Sequence, residues 1–375
     1  MSDLNSNRGL PLLAVAELST ASHYGFPCSA RPHVMMPRNH RAAQAALRLL
    51  MPRNKCIWLS MQSVIDRLKN ARSWFRETQL MSEIRQATGM NNYTSVVVKG
   101  TPGPYSKDVV LFFDSDADPV LLLKVGTSLP ARRLLENEAI WLERLNQAGL
   151  AAHVPRVLSR CDVDHARVLG QSVGTGRFPG AKMSNHILGF LSDFQVAFPG
   201  IASYQNSTLR IVLEDRFHAL RSCISQVWLT RIHKTIEMLS DEFQGRRIPF
   251  CAAHRDFAPW NMRITDRGLF LYDWEYASDG YTPLYDLFHF FVMPHALKHQ
   301  VSTTQLTMII GQVIAKATLL KDARAKVQLP DYQLLAYLLD VCLFYLESNN
   351  GKHEGDRIVC RYGDLIDQFP QWRMQ

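Results

Sequence analysis

The chain has 375 residues, 47% hydrophobic, 20% charged and 10% aromatic, a globular composition that excludes a disordered or fibrous chain and allows two domains, or one two-lobed domain with an extension. Its formal charge of +8 is concentrated, because residues 31–76 carry ten basic side chains against Asp66 alone and the remainder is close to neutral. Seven scattered cysteines without a C-x-x-C pair argue for reduced thiols in a cytoplasm and against a disulfide framework or zinc site, and the apolar stretches LLAYLL and VCLFYL, broken by Asp340, are too short to span a bilayer.

Taken in order, residues 1–90 form an N-terminal extension. A brief apolar run after Arg8 is flanked by Asp3 and Glu17 and barely reaches the length of a signal core, so no secretory leader is expected. The first 30 residues lack a sustained period and are expected to be poorly ordered. Helical spacing begins at RAAQAALRLLMP and is clearest in Ile57, Met61, Val64, Ile65, Leu68 and Phe75, which predicts a basic amphipathic helix. Such a segment either lies on an anionic membrane surface, with Trp58 and Leu59 near the interface, or packs on the following lobe as a solvated helix. The protein is therefore expected in the cytoplasm, with peripheral contact at the inner membrane face as one option. Nucleic acid is not an expected partner, since the segment has no reader motif, and the oligomeric state is not legible.

Residues 91–172 change character. YTSVVVKG, VVLFF and VLLLKVG are β-rich runs separated by the turn-rich TPGPYSKD and DSDADP, which predicts an antiparallel meander. RRLLENEAIWLERLNQAG carries a helical stripe of Leu135, Ala139, Leu142 and Leu145 ending at Gly149. HVPRVLSR and HARVLGQSV read as further strands. Residues 173–375 are mostly helical, interrupted at 250–275 by two short strand-like pieces. The fold class expected is α+β, a bilobal kinase-like plan with a small antiparallel β-rich N-lobe, a large helical C-lobe and an N-terminal helical extension.

The interruption contains HRDFAPWNMRITDRGLFLYDWE, with His254, Asp256, Asn261 and Asp273 in the spacing of an H-R-D-x-x-x-x-N loop followed by a metal-binding Asp. Moving the γ-phosphoryl group of ATP requires a carboxylate at the acceptor hydroxyl and oxygen ligands that hold Mg²⁺ against the triphosphate. Asp256 fits the first role. Asn261 and Asp273 fit the second, and His254 fits a brace for the loop. Each of these residues alone is more often a turn former, but four in this order are hard to obtain by chance.

HRDFAPWN, YDWEYA and PLYDLFHFF together resemble the aminoglycoside phosphotransferase and choline kinase group of protein-kinase-like enzymes, whose motif reads H-G-D-x-x-x-x-N followed by D-x-E. The resemblance extends over residues 91–350 and is specific in 251–291. It implies Asp256 as catalytic base, Asn261 and Asp273 as magnesium ligands, and Asp286 as a buried structural carboxylate. Arg255 stands where the group has Gly, which suggests an ion pair bracing the loop, or a cation offered to an anionic substrate.

A kinase-like site also needs a cation on the α- and β-phosphates. Lys124, at the end of VLLLKVG, is the candidate, because a lysine among apolar neighbours is costly unless paired. Glu138 is its expected partner, with Glu136 in reserve. In GTPGPYSKD, Gly100 and Gly103 allow close backbone approach to phosphate and Lys107 could reach it, although a plain hairpin turn fits nearly as well. This stretch is similar to G-x-P-G-P-x-x-K segments of kinase-like proteins associated with bacterial surface-glycan synthesis. Trp260, Trp274, Tyr276 and Tyr281 are expected in the core.

The function expected is an ATP- and Mg²⁺-dependent phosphotransferase acting on a hydroxyl of a small molecule or glycan. A protein kinase is the alternative enzyme, disfavoured because DWEYASDGYTPLYDLFHFF leaves little room for an activation segment and contains no A-P-E. A pseudokinase or scaffold working through the basic segment is disfavoured by the complete set Lys124, Asp256, Asn261 and Asp273. From residue 173 onward 21 basic and 20 acidic side chains balance, so nothing there attracts a polycation strongly.

Overall fold

Strict alternation along two strands organises the first part of the chain. In the computed structural model, which describes residues 12–16, 20–26, 33–50, 74–180, 182–200, 203–298, 302–321, 323–353 and 356–372, strands β1 (Leu13–Ala16), β2 (His23–Phe26), β3 (Val34–Pro37), β4 (Trp74–Glu77), β5 (Thr94–Val98), β6 (Asp108–Phe113), β7 (Pro119–Gly126), β8 (Val157–Val163) and β9 (Ala166–Gln171) form one sheet. Their order is β1-β4-β2-β3-β5-β6-β7-β9-β8, and every neighbouring pair is antiparallel. Side chains alternate between its faces. Val96, Leu111 and Phe113 pack with Ala42, Ala43, Ala46 and Leu47 of helix α1 (His40–Leu50). Val97, Val110 and Phe112 pack on the other face with Leu80, Met81 and Ile84 of α2 (Gln79–Thr88). Helix α3 (Leu129–Gln147) starts at Ser128, whose hydroxyl accepts from the Ala131 amide. Past its end Gly149 adopts φ 82°, the left-handed conformation that a residue with a Cβ enters at a cost.

The meander, the helix ending near Gly149 and the two later strands follow the expected pattern. The start of the chain does not. Four-residue strands within residues 13–37 were not legible, because each is too short to show a period. Phe75, expected at the end of the basic helix, lies in strand β4. The other residues of that helix, Ile57 to Leu68, lie outside the described residues, as do Trp58 and Leu59. Residues 1–90 were separated from 91–172 on composition, yet the described parts of both share this sheet. Arg85 joins them: its guanidinium donates to both carboxylate oxygens of Glu77 at 2.7 and 2.9 Å, to the carbonyls of Met90 and Tyr93, and to the Ser95 hydroxyl.

Contacts divide the chain into two units, Met1–Phe178 with Thr265–Glu275, and Pro179–Ile264 with Tyr276–Gln375. The second unit is built from α4 (Asn185–Ala197), α5 (Thr208–Leu220), α6 (Gln226–Phe243), α7 (Tyr285–Lys298), α8 (Thr303–Ala317), α9 (Pro330–Ser348) and α10 (Arg357–Asp367). Helix α9 is apolar nearly all round, so it runs through the core and buries residues on every face. Strand β10 (Cys251–Ala253) pairs with β13 (Ser278–Tyr281) in an antiparallel ribbon. Strands β11 (Met262–Thr265) and β12 (Gly268–Leu271) lie in sequence between them. No helix among the described residues is long and apolar enough to cross a membrane.

Candidate active site

The first unit gathers a cluster of charges around Lys124. On β7, Leu121, Leu123 and Val125 point into the α2 face of the sheet, so Lys124 emerges on the opposite one. Its ammonium lies 2.7 and 2.8 Å from the two carboxylate oxygens of Glu138 on α3 and 2.6 Å from Oδ1 of Asp273. Glu138 is fully buried and Lys124 is 7% exposed. Burial alone would lower the Lys124 pKa, but Asp273, Glu138 and Glu275 outweigh it and raise it, so the lysine is charged. Glu136, the reserve partner, sits on the other side of the helix and pairs with Arg160 and Arg167.

Lys107 comes from the β5–β6 loop and pairs with Glu275, a buried residue two positions after Asp273. Burial and the neighbouring Asp273 push the Glu275 carboxyl up to about 7, against Lys124 and Lys107, which hold it down. Carboxylate oxygens of Glu138, Asp273 and Glu275 lie within 4.8 Å of one another, close enough to share a cation. Gly100 is sterically required. A Cβ there would sit 2.2 Å from the Lys107 carbonyl oxygen and 2.8 Å from its nitrogen, because the two ends of the loop nearly touch. Gly103 has nothing within 4 Å of the same position, so its need for glycine is not steric.

The second unit holds the loop after β10. His254 is fully buried, and its Nδ1 accepts the Asp256 amide at 3.2 Å, which braces the turn. Asp286, in the first turn of α7, accepts the amides of His254 and Arg255 at 2.9 and 3.0 Å. Burial raises its carboxyl, and His254 with the two amides counters that. Asn261 donates its amide to the Asp256 carbonyl at 3.0 Å and to Asp256 Oδ2 at 2.8 Å. With the nitrogen so engaged, the amide oxygen is the atom left for a hard cation. Asp256 Oδ1 faces Nε2 of His289 at 3.1 Å.

Arg255 sits at φ 67°, in the left-handed region that explains glycine at this place in the related motif. Its guanidinium reaches Asp340 Oδ2 at 3.0 Å and lies over the Tyr281 ring at 4.6 Å. Asp340 also accepts from Arg216 at 2.8 Å and from the Tyr285 hydroxyl at 2.6 Å. Burial would raise the Asp340 carboxyl, but Arg255 and Arg216 outweigh that and hold it low. Arg255 is thus engaged in an internal ion pair. Beside Asp256 is a cavity of about 140 Å³, whose lining includes His289, Tyr276, Phe344, Tyr345 and Met293.

Sequence reasoning did not name Glu275, His289 or Arg216, and named Asp340 only as a break between two apolar stretches. Glu275 was visible as the last letter of D-x-E. His289 follows Asp286 by three residues, one helical turn along the same face, and that spacing was its only signal. Asp340 and Arg216 lie 85 and 39 residues from Arg255, beyond any local pattern. Trp274 and Tyr281 are buried as expected, whereas Trp260 is 42% exposed.

A family model described as Phosphotransferase enzyme family (APH) matches residues 97–308, more than half of the chain. No curated protein matches the sequence. Among solved structures, the apo form of a thermostable mutant of aminoglycoside phosphotransferase APH(4)-Ia is 13% identical with a TM-score of 0.53, covering 77% of this chain and 98% of that one. A ternary complex of a mutant of the same enzyme with ADP and hygromycin B is 12% identical, with a TM-score of 0.53 and coverage of 79% and 99%. The GDP complex of a mutant aminoglycoside 2'-phosphotransferase-IIIa is 10% identical, with a TM-score of 0.50 and coverage of 77% and 96%. At these identities the likeness establishes the fold, which is the mixed α+β protein-kinase-like fold.

Proposed function

We propose, for a chain that belongs to the phosphotransferase enzyme family, that it moves the γ-phosphoryl group of ATP to a hydroxyl of a small molecule or glycan. The observation that carries this is the holding of Asp256, whose two carboxylate oxygens are each engaged by a separate donor, Asn261 and His289, beside a cavity. A carboxylate fixed in this way is oriented to receive a hydroxyl proton.

In the proposed reaction the acceptor oxygen forms a bond to the γ-phosphorus as the bond from that phosphorus to the β–γ bridging oxygen breaks. Asp256 takes the hydroxyl proton, and ADP leaves with the electron pair. Lys124, fixed by Glu138, neutralises the α- and β-phosphates, and Lys107 with Gly100 shapes the loop over the phosphates. Gly103 leaves that loop open at its tip. His254 braces the turn that carries Asp256. Asn261 and Asp273 offer the amide and carboxylate oxygens that suit Mg²⁺. The ion, when bound, neutralises charge building on the phosphoryl oxygens.

The second reading, that the basic segment 31–76 touches anionic membrane, draws support from exposed Arg38, Arg41 and Arg48. Helix α1 spends its apolar face on the sheet, so in this part of the segment the attraction would be electrostatic and not by insertion. Pelleting with anionic vesicles across a salt series tests it: absence of binding at low salt removes the idea.

Transfer of labelled γ-phosphate from Mg·ATP, to a panel of hydroxyl compounds and to water, tests the main reading. Turnover that Asp256→Asn abolishes is expected. Turnover unchanged in that variant would refute the reading and favour a scaffold.

A further inference from the structure

We infer that His289 is a positioning residue for Asp256, a role that rests on the phosphotransfer reading above. Asn261, five residues along from Asp256, engages Oδ2 and moves with the loop. His289 instead belongs to helix α7, so its contact with Oδ1 at 3.1 Å ties the carboxylate to a rigid element. A carboxylate held at one oxygen can still swing about its Cβ–Cγ bond. One held at both oxygens by different elements cannot.

His289 is itself held. It is 3% exposed. Its ring meets that of Tyr337 edge-on, with centroids 5.8 Å apart, and the Tyr337 hydroxyl lies 3.5 Å from Nδ1, a long hydrogen bond. The Tyr337 hydroxyl lies 3.0 Å from that of Tyr362 on α10. Burial pushes both phenols up, so each keeps its proton. A protonated phenol facing Nδ1 favours the ring tautomer with hydrogen on Nε2, the atom that faces Asp256. The series Asp256, His289, Tyr337, Tyr362 therefore uses the logic of a base aligned by a second group, which is aligned by a third. The other charged groups near the imidazole are Asp286 on its own helix and the internally paired Arg255 and Asp340 that line the same cavity.

Two measurements on the full chain test this. The first is the rate and pH profile of Mg·ATP turnover in wild type, Asp256→Asn, His289→Leu and His289→Gln. Leucine is expected to lower kcat by roughly 10- to 100-fold, the size of loss seen when the partner that orients a metal ligand is removed, with the KM for ATP little changed. Glutamine, which offers an amide N–H near the place of Nε2, is expected to restore most of the rate across the profile. If His289→Leu matches wild type while Asp256→Asn is inactive, the positioning role fails alone. If Asp256→Asn is unimpaired, or wild type does not turn over ATP, the phosphotransfer reading fails first.

The second measurement decides the contact without turnover. Long-range ¹H–¹⁵N correlations of the histidine rings, assigned with His289→Gln, are expected to show His289 as the Nε2–H tautomer and to shift in Asp256→Ala. An Nδ1–H tautomer in wild type, or a ring signal indifferent to Asp256→Ala, overturns the proposal.

Discussion

Arg255 holds a left-handed backbone conformation at φ 67° while its guanidinium lies 3.0 Å from the buried carboxylate of Asp340. The two facts belong together. A side chain at positive φ costs roughly 1–2 kcal/mol, and the loop keeps it because Asp340 would otherwise lose one of its two arginines. Two substitutions separate the effects. Arg255→Ala removes the ion pair and keeps the strain, whereas Arg255→Gly removes both. Both are expected to destabilise the chain, by about 3–5 kcal/mol for alanine, with glycine milder by about 1 kcal/mol. Urea unfolding measures the difference, and a glycine variant no more stable than alanine would contradict the strain argument.

Lys124 and Glu138 are expected to behave as one unit. Lys124→Met leaves a fully buried Glu138 beside Asp273 without its cation. It should destabilise the chain by about 3–5 kcal/mol and, under the proposed function, abolish saturable Mg·ATP binding in calorimetry. Glu138→Gln should retain the fold and weaken nucleotide binding, through a lysine no longer held. Glu136→Ala, which only loosens pairs with Arg160 and Arg167, should leave nucleotide binding unchanged.

Glu275 makes stability depend on pH in a direction opposite to that of an ordinary salt-bridged acid. Its carboxyl rises from 4.5 to about 7 in the folded chain. Between these values the folded state holds a proton that the unfolded state has lost, so unfolding free energy falls as pH rises through this window. The loss is at most on the order of 3 kcal/mol. Denaturation of nucleotide-free protein at pH 4.5, 6 and 7.5 measures it. Glu275→Gln is expected to flatten that slope, and an unchanged slope would assign the effect elsewhere.

The two glycines of the β5–β6 loop should respond differently. Gly100→Ala drives a Cβ against the Lys107 backbone, 2.2 Å from its carbonyl oxygen. The loop must open, displacing Lys107 from Glu275, and the KM for ATP should rise by about tenfold or more, a loss of at least ~1.4 kcal/mol of binding. Gly103→Ala meets nothing within 4 Å and should be nearly silent in the ligand-free chain. Equal effects from both would contradict the steric account.

Much of the fold was legible because it is written in short-range periods. VVVKG, VVLFF and VLLLKVG are β-rich runs set apart by turn-forming stretches, and RRLLENEAIWLERL carries a 3.6-residue stripe, so strands and helix could be read directly. The strands at Leu13–Ala16, His23–Phe26 and Val34–Pro37 could not, since each is four residues long. Their pairing is stabilised by partners far along the chain, such as His23 with Ser95. Composition set residues 31–76 apart as basic, but charge reports solvent exposure and not which sheet a segment joins.

By itself the sequence determined the residue types at hand: a lysine, a carboxylate, an amide and a second carboxylate in that order, because local spacing places residue types on loops and strand ends. Only the tertiary structure decided which groups face one another. It held Lys124 to Glu138, the partner expected ahead of Glu136, set Arg255 against Asp340, and brought His289 to Asp256. Each pairing joins residues 14 to 85 positions apart, and burial makes such choices strict, since a charge removed from water must meet its partner or lose its place in the core.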